Sequence, residues 1–107
     1  SKVVLVAGPT DMRKSFDTLA AVVRTAIDSD PLSGHLFVFC NRRRDRLKAL
    51  IWESSGFWLL AKRLEKGTFS WPASSVAKVE YSAAELAALL EGLELSGRRR
   101  KRFRGLI

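Results

Sequence analysis

The sequence predicts one small α+β domain, a mixed or antiparallel sheet packed against two main helices, with a basic C-terminal arm behind it. Three observations lead there. Residues 3–7 and 36–40 are uninterrupted apolar runs of strand length, rich in β-branched and aromatic side chains. Residues 12–27 and 83–93 carry apolar residues at helical spacing. A chain of 107 residues is long enough for one hydrophobic core and too short for two.

The elements follow in order. The run at residues 3–7 reads as a buried strand stopped by Gly8-Pro9. Thr10 or Asp11 is placed to cap the helix that follows, which turns Met12, Phe16, Leu19, Ala20, Val23, Ala26 and Ile27 to one face. Asp30-Pro31-Leu32-Ser33-Gly34 ends it. Residues 36–40 read as a central strand, and residues 46–53 as its hairpin partner across a loop that projects three arginines. Ser54-Ser55-Gly56 is the next turn. Residues 57–65 fit a short helix through Phe57, Leu60, Ala61 and Leu64, although a strand is compatible with their aromatic content. Residues 68–71 alternate like a short strand before Pro72, and residues 76–81 suit an edge strand. Ser82 and Glu85 have the spacing of a capping box and open the alanine- and leucine-rich second helix, with Gly92 near its end.

Charge divides the chain into a domain over residues 1–97 and an arm over residues 98–107. The formal net charge is +8, and Arg98, Arg99, Arg100, Lys101, Arg102 and Arg104 supply most of it; without them thirteen basic residues face eleven acidic ones. Inside the domain the basic density peaks at Arg42, Arg43, Arg44, Arg46 and Lys48. Patches of this kind favour a polyanion, because each phosphate they neutralise releases counterions. The competing reading is a solvated, charged surface without a specific partner. Lys62, Arg63 and Lys66 lie near Phe57, Trp58 and Trp71, an arrangement that would let Trp58 stack on a base if it is exposed rather than part of the core.

Enzyme chemistry finds little support. Gly8-Pro9-Thr10-Asp11-Met12-Arg13-Lys14-Ser15 approaches a phosphate-cradling loop, but Arg13 stands where the loop needs glycine and Pro9 has no amide to offer. Arg13 and Lys14 at a helix start remain suited to gripping one external phosphate, beside the simpler reading of a strand-to-helix connection. The carboxylates show no two-metal spacing. One cysteine, Cys40, and one histidine, His35, leave no disulfide and no zinc site within the chain. Neither catalytic residues, nor a metal, nor a cofactor is expected. No apolar stretch approaches membrane-spanning length, and a cytoplasmic setting is the expectation.

Three separated strings carry a family resemblance: Gly8 to Ser15 as quoted, Asp30-Pro31-Leu32-Ser33-Gly34-His35-Leu36-Phe37-Val38-Phe39, and Lys62-Arg63-Leu64-Glu65-Lys66-Gly67-Thr68-Phe69-Ser70-Trp71-Pro72. In order and spacing, from residue 3 to about residue 95, the chain resembles the TnpB accessory proteins of the IS-sixty-six group of bacterial insertion sequences. The resemblance implies a helper in transposition that works beside a separate transposase and does not itself transfer strands. It supplies no catalytic residues. The combined expectation is non-catalytic binding of DNA, at the element's ends, or bridging of DNA and transposase. Arg13, Lys14, Arg42, Arg43, Arg44, Arg46, Lys48, Lys62, Arg63 and the six basic residues of the arm would be the nucleic-acid contacts. A homodimer is compatible with this. The alternative is a protein-interaction module that binds the transposase without recognising DNA.

Overall fold

The computed structural model describes residues 1–92. Seven elements follow one another: β1 (Val3–Pro9), α1 (Phe16–Thr25), β2 (Leu36–Cys40), β3 (Arg46–Glu53), β4 (Gly56–Arg63), β5 (Lys78–Tyr81) and α2 (Ala83–Leu90). The strands form one mixed sheet in the order β4-β3-β2-β1-β5. β1 and β2 run parallel, joined through α1, and every other neighbouring pair is antiparallel. The apolar run at residues 36–40 is thus the middle strand, as its continuous hydrophobicity requires.

Alternation along the strands divides the core between two faces. Val4, Val6, Phe37, Phe39 and Leu50 turn to the face covered by Leu19, Ala20 and Val23 of α1 and by Ile27. Leu5, Val38, Cys40, Leu47 and Ala49 turn to the other, beneath Leu89 of α2, Phe69 and Trp71. Each large side chain buried this fully stabilises the fold by about 1.5–3 kcal/mol.

Four local readings change. Residues 57–65, expected as a helix, are strand β4 and extend a hairpin from β3 across the tight turn in which Ser54 takes φ +55°. Here the cross-strand register decides. It puts Phe57 opposite Trp52 and Leu59 opposite Leu50, a pairing that a helical pattern read in isolation does not contain. The short strand expected at residues 68–71 does not form; its alternation instead drives Phe69 and Trp71 into the core as anchors of a long loop. Helix α1 begins at Phe16, with Ser15 rather than Thr10 or Asp11 as its cap, and Ser15 N donates to Thr18 Oγ1 at 2.8 Å. Met12 still packs against the core from the preceding turn, whereas Phe16 is 44% exposed. Helix α2 opens on the predicted box, Glu85 N to Ser82 Oγ at 3.1 Å and Ser82 N to Glu85 Oε1 at 2.8 Å, and it ends at Leu90, before Gly92 with φ +78°. Leu93, the predicted end of that helix, and the basic arm lie outside the described residues. Among the described residues no helix is long and apolar enough to cross a membrane.

The register also fixes which loops meet. β1 and β2 end, and β3 and β5 begin, at one end of the sheet, where β4 also ends. The long loop between β4 and β5 is tied down there. Trp71 Nε1 donates to Val6 O at 3.0 Å, Gly8 N to Pro72 O at 3.2 Å and Ala7 N to Ala77 O at 3.1 Å. Gly8 has φ +74°, and a Cβ on it would stand 2.9 Å from Ser74 Cβ, so the position admits only glycine without rearrangement.

Candidate nucleic-acid interface

The arginine loop is built around Asn41. Its Oδ1 accepts from Asp45 N at 3.0 Å and Arg46 N at 3.1 Å, while its Nδ2 donates to Asp45 Oδ1 at 2.7 Å. Arg44 closes the turn with φ +62° and donates its N–H to Asn41 O at 3.1 Å. Two further bonds join the loop to the segment after β4: Leu64 N to Asp45 O at 2.8 Å and Phe69 N to Arg44 O at 2.7 Å. The backbone is therefore stapled while the side chains of Arg42, Arg43, Arg44 and Arg46 point into solvent. Among the described residues none of these four guanidinium groups is in an ion pair.

The connection from β1 to α1 forms the opposite wall. Thr10 N donates to Cys40 O at 2.7 Å, which holds this connection against the end of β2. Asp11 is clamped by Arg13 through Nε at 3.0 Å and Nη2 at 2.6 Å and also accepts Arg13 N at 2.9 Å. The clamp lowers the Asp11 pKa to about 2, chiefly through the Arg13 side chain, and raises that of Arg13. Arg13 is thus partly neutralised, although 91% of its side chain is exposed. Lys48 Nζ donates to Lys14 O at 2.7 Å and so props this connection from β3.

Between the walls lies an open cleft of about 480 Å³, lined by Asp11, Asn41, Arg42, Arg43 and Arg46 among others. It runs on, past Met12 and Arg46, into a second trough of about 520 Å³ beside Lys48, Lys62 and Arg63. Arg46 and Arg63 are directly opposed on neighbouring strands. Like charges so placed oppose folding by roughly 0.2–1 kcal/mol, an effect that a bound polyanion reverses. Arg63 Nε also reaches Glu65 Oε2 at 3.0 Å, and Lys62 Nζ donates to Leu90 O at 3.0 Å, capping the C-terminal, negative end of α2.

The structure therefore gathers Arg13, Lys14, Arg42, Arg43, Arg44, Arg46, Lys48, Lys62 and Arg63 at one end of the sheet. Arg98, Arg99, Arg100, Lys101, Arg102 and Arg104 lie outside the described residues. The aromatic residues do not join the cluster. Trp71 is buried, and Trp58 is 60% exposed but sits near the other end of β4, its Nε1 donating to Glu53 Oε1 at 3.0 Å. Sequence reasoning missed Asn41 as the staple; an Asn just before an arginine run, with Asp four residues on, is the available signal for such a turn. Beside the cleft, burial pushes the Cys40 thiol up to about 12, so it is a core side chain rather than a nucleophile. Among the described residues no group of three His, Cys, Asp or Glu could hold a metal ion.

Comparison with known proteins puts the chain among the accessory proteins encoded by bacterial insertion sequences. The model for the family described as IS66 Orf2 like protein matches residues 1–100, and the chain belongs to that family. It is 38% identical over 93 residues to the uncharacterized protein y4hO of Sinorhizobium fredii, covering 87% of this chain and 81% of that one. With y4jC of the same organism, also uncharacterized, it shares 34% identity over 100 residues, or 94% and 86% of the two chains. No solved structure matches significantly. The family is one of non-catalytic proteins, and its role is accessory to transposition.

Proposed function

We propose that this protein assists transposition by holding DNA, without acting on it chemically, along the basic end of its sheet. Arg42, Arg43, Arg44 and Arg46 make the principal phosphate contacts, Lys62 and Arg63 extend the track, and the basic residues at 98–104 add to the charge that a polyanion neutralises. A single observation carries the reading: two basic segments far apart in sequence, at residues 42–48 and 62–63, line two clefts that share Met12 and Arg46 at one end of the domain, where Lys48 also holds the backbone of Lys14. Duplex DNA presents one negative charge per ~1.7 Å of axis, which suits a row of guanidinium groups better than a small ligand does. The open shape and stapled backbone favour positioning on phosphates, and the transposase would be held on another surface of the same domain.

Fluorescence anisotropy tests this with the full chain on duplexes from the element's ends and on shuffled duplexes, at two salt concentrations. Binding to both that weakens steeply with salt is the expected phosphate signature; a preference for the ends would add sequence readout. Absence of binding to either duplex would remove DNA from the role and leave the transposase as the partner. In that case a transposase pull-down that survives nuclease treatment would establish the interaction module.

A further inference from the structure

We propose that two copies of this chain pair antiparallel through strand β4, joining their sheets edge to edge into one ten-stranded sheet. The two edges of the sheet are built differently. β5 is four residues long, alternates Lys78 and Glu80 with Val79 and Tyr81, and has a further charge at Lys2, 3.7 Å from Glu80. Short, charged edges of this kind discourage added strands. β4 is eight residues long and carries no charge from Gly56 to Ala61, and among the described residues no strand pairs with its outer edge. Trp58 and Leu60 on it are 60% and 55% exposed. A long apolar edge with unpaired N–H and C=O groups is a template for a further strand.

The side chains choose a second copy as that strand, because β4 is complementary to itself. With Leu59 on the two-fold axis, Trp58 stands opposite the partner's Leu60, Phe57 opposite the partner's Ala61, and Lys62 opposite the partner's Gly56. Gly56 has open space where a Cβ would sit, so the backbone of the partner can approach there, and Gly56 lies opposite Glu53 on β3. The basic end of each β4 thus meets the acidic end of the other. Because the pairing is antiparallel, the two basic clefts face opposite ways, one at each end of the joined sheet.

Sedimentation velocity of the full chain, free of nucleic acid, should show monomer passing to dimer as concentration rises through roughly 1–200 μM. Leu60→Lys, which puts a charge in the middle of the edge, should weaken dimerisation at least tenfold while leaving the melting temperature nearly unchanged. Leu59→Cys should cross-link under oxidation, since directly opposed residues bring their Cβ atoms within about 4.5–5.5 Å. Ala61→Cys, whose copies lie four residues out of register, should not. The native Cys40 is buried and does not interfere. A chain that stays monomeric throughout this range overturns the proposal and hands the edge to another occupant, residues 93–107 or the transposase. A dimer that tolerates Leu60→Lys, or that cross-links through Ala61→Cys and not Leu59→Cys, overturns it too. None of these readings depends on DNA, so the proposed function stands or falls separately.

Discussion

The two ends of the one sheet have opposite chemistry. At the end where β1 and β2 finish, the arginine loop, the β1–α1 connection and the last residues of β4 crowd basic side chains together. At the other end Asp28, Asp30, Glu53, Glu80 and Glu85 predominate, and the turns carry ordinary punctuation such as Asp30 Oδ1 accepting Leu32 N at 2.9 Å. Loops at the basic end are tied to one another by backbone hydrogen bonds, from Thr10 to Cys40, Leu64 to Asp45 and Phe69 to Arg44. Like charges repel, so a cluster of them needs a rigid frame; the acidic end, with its charges spread over separate turns, does not.

The largest expected effect comes from removing that frame. Trp71→Ala empties a buried indole site and orphans Val6 O, and should cost about 3–5 kcal/mol of stability by chemical denaturation. Lys2→Ala and Lys78→Ala, whose ammonium groups reach Glu80 and Ser29 on the side of the acidic end, should each stay within about 0.5 kcal/mol. Next, replacing Arg42, Arg43, Arg44 and Arg46 together by Ala should lower DNA affinity at least about tenfold and reduce the salt slope by about 3 to 4, while the same Lys2 and Lys78 changes leave both alone. If both ends respond equally, the polarity described above has no bearing on binding.

Smaller changes sharpen the contrast. Asn41→Ala removes the staple under an otherwise untouched arginine loop and should cost about 1–2 kcal/mol of stability, with a measurable loss of DNA affinity. Asp11→Asn frees Arg13 and removes a negative charge from the cleft, so affinity should rise about two- to fivefold. The Asp11 carboxyl, followed by NMR, should titrate near 2, below its ordinary 3.8. Because the folded value is the lower one, the clamp is complete above about pH 4 and is lost as pH falls through 2. The smallest effect is at Cys40, which should resist thiol reagents in the folded protein up to about pH 9 and react only on unfolding.

Much of the fold was legible because its signals are local. The apolar runs of β1 and β2, the capping box of α2 and the hairpin that projects Arg42, Arg43 and Arg44 are each contained in a few consecutive residues. Residues 57–65 were misread because Phe57, Leu60, Ala61 and Leu64 satisfy a helical period, and only pairing with β3 reveals the period of two. Phe69 and Trp71 looked like strand residues because alternation does not say whether a backbone partner exists.

By itself the sequence determined that the chain has one α+β core, that its charge is patchy, and that its motifs resemble those of an insertion-sequence accessory family. These follow from composition, short-range periodicity and motif spacing, which do not depend on the path of the chain. Only the tertiary structure decided that residues 13–14, 42–48 and 62–63 share one end of the sheet, and that Trp58 lies away from them. Which loops meet depends on strand order and direction, and these are set by burial of both sheet faces at once, a condition no single segment contains.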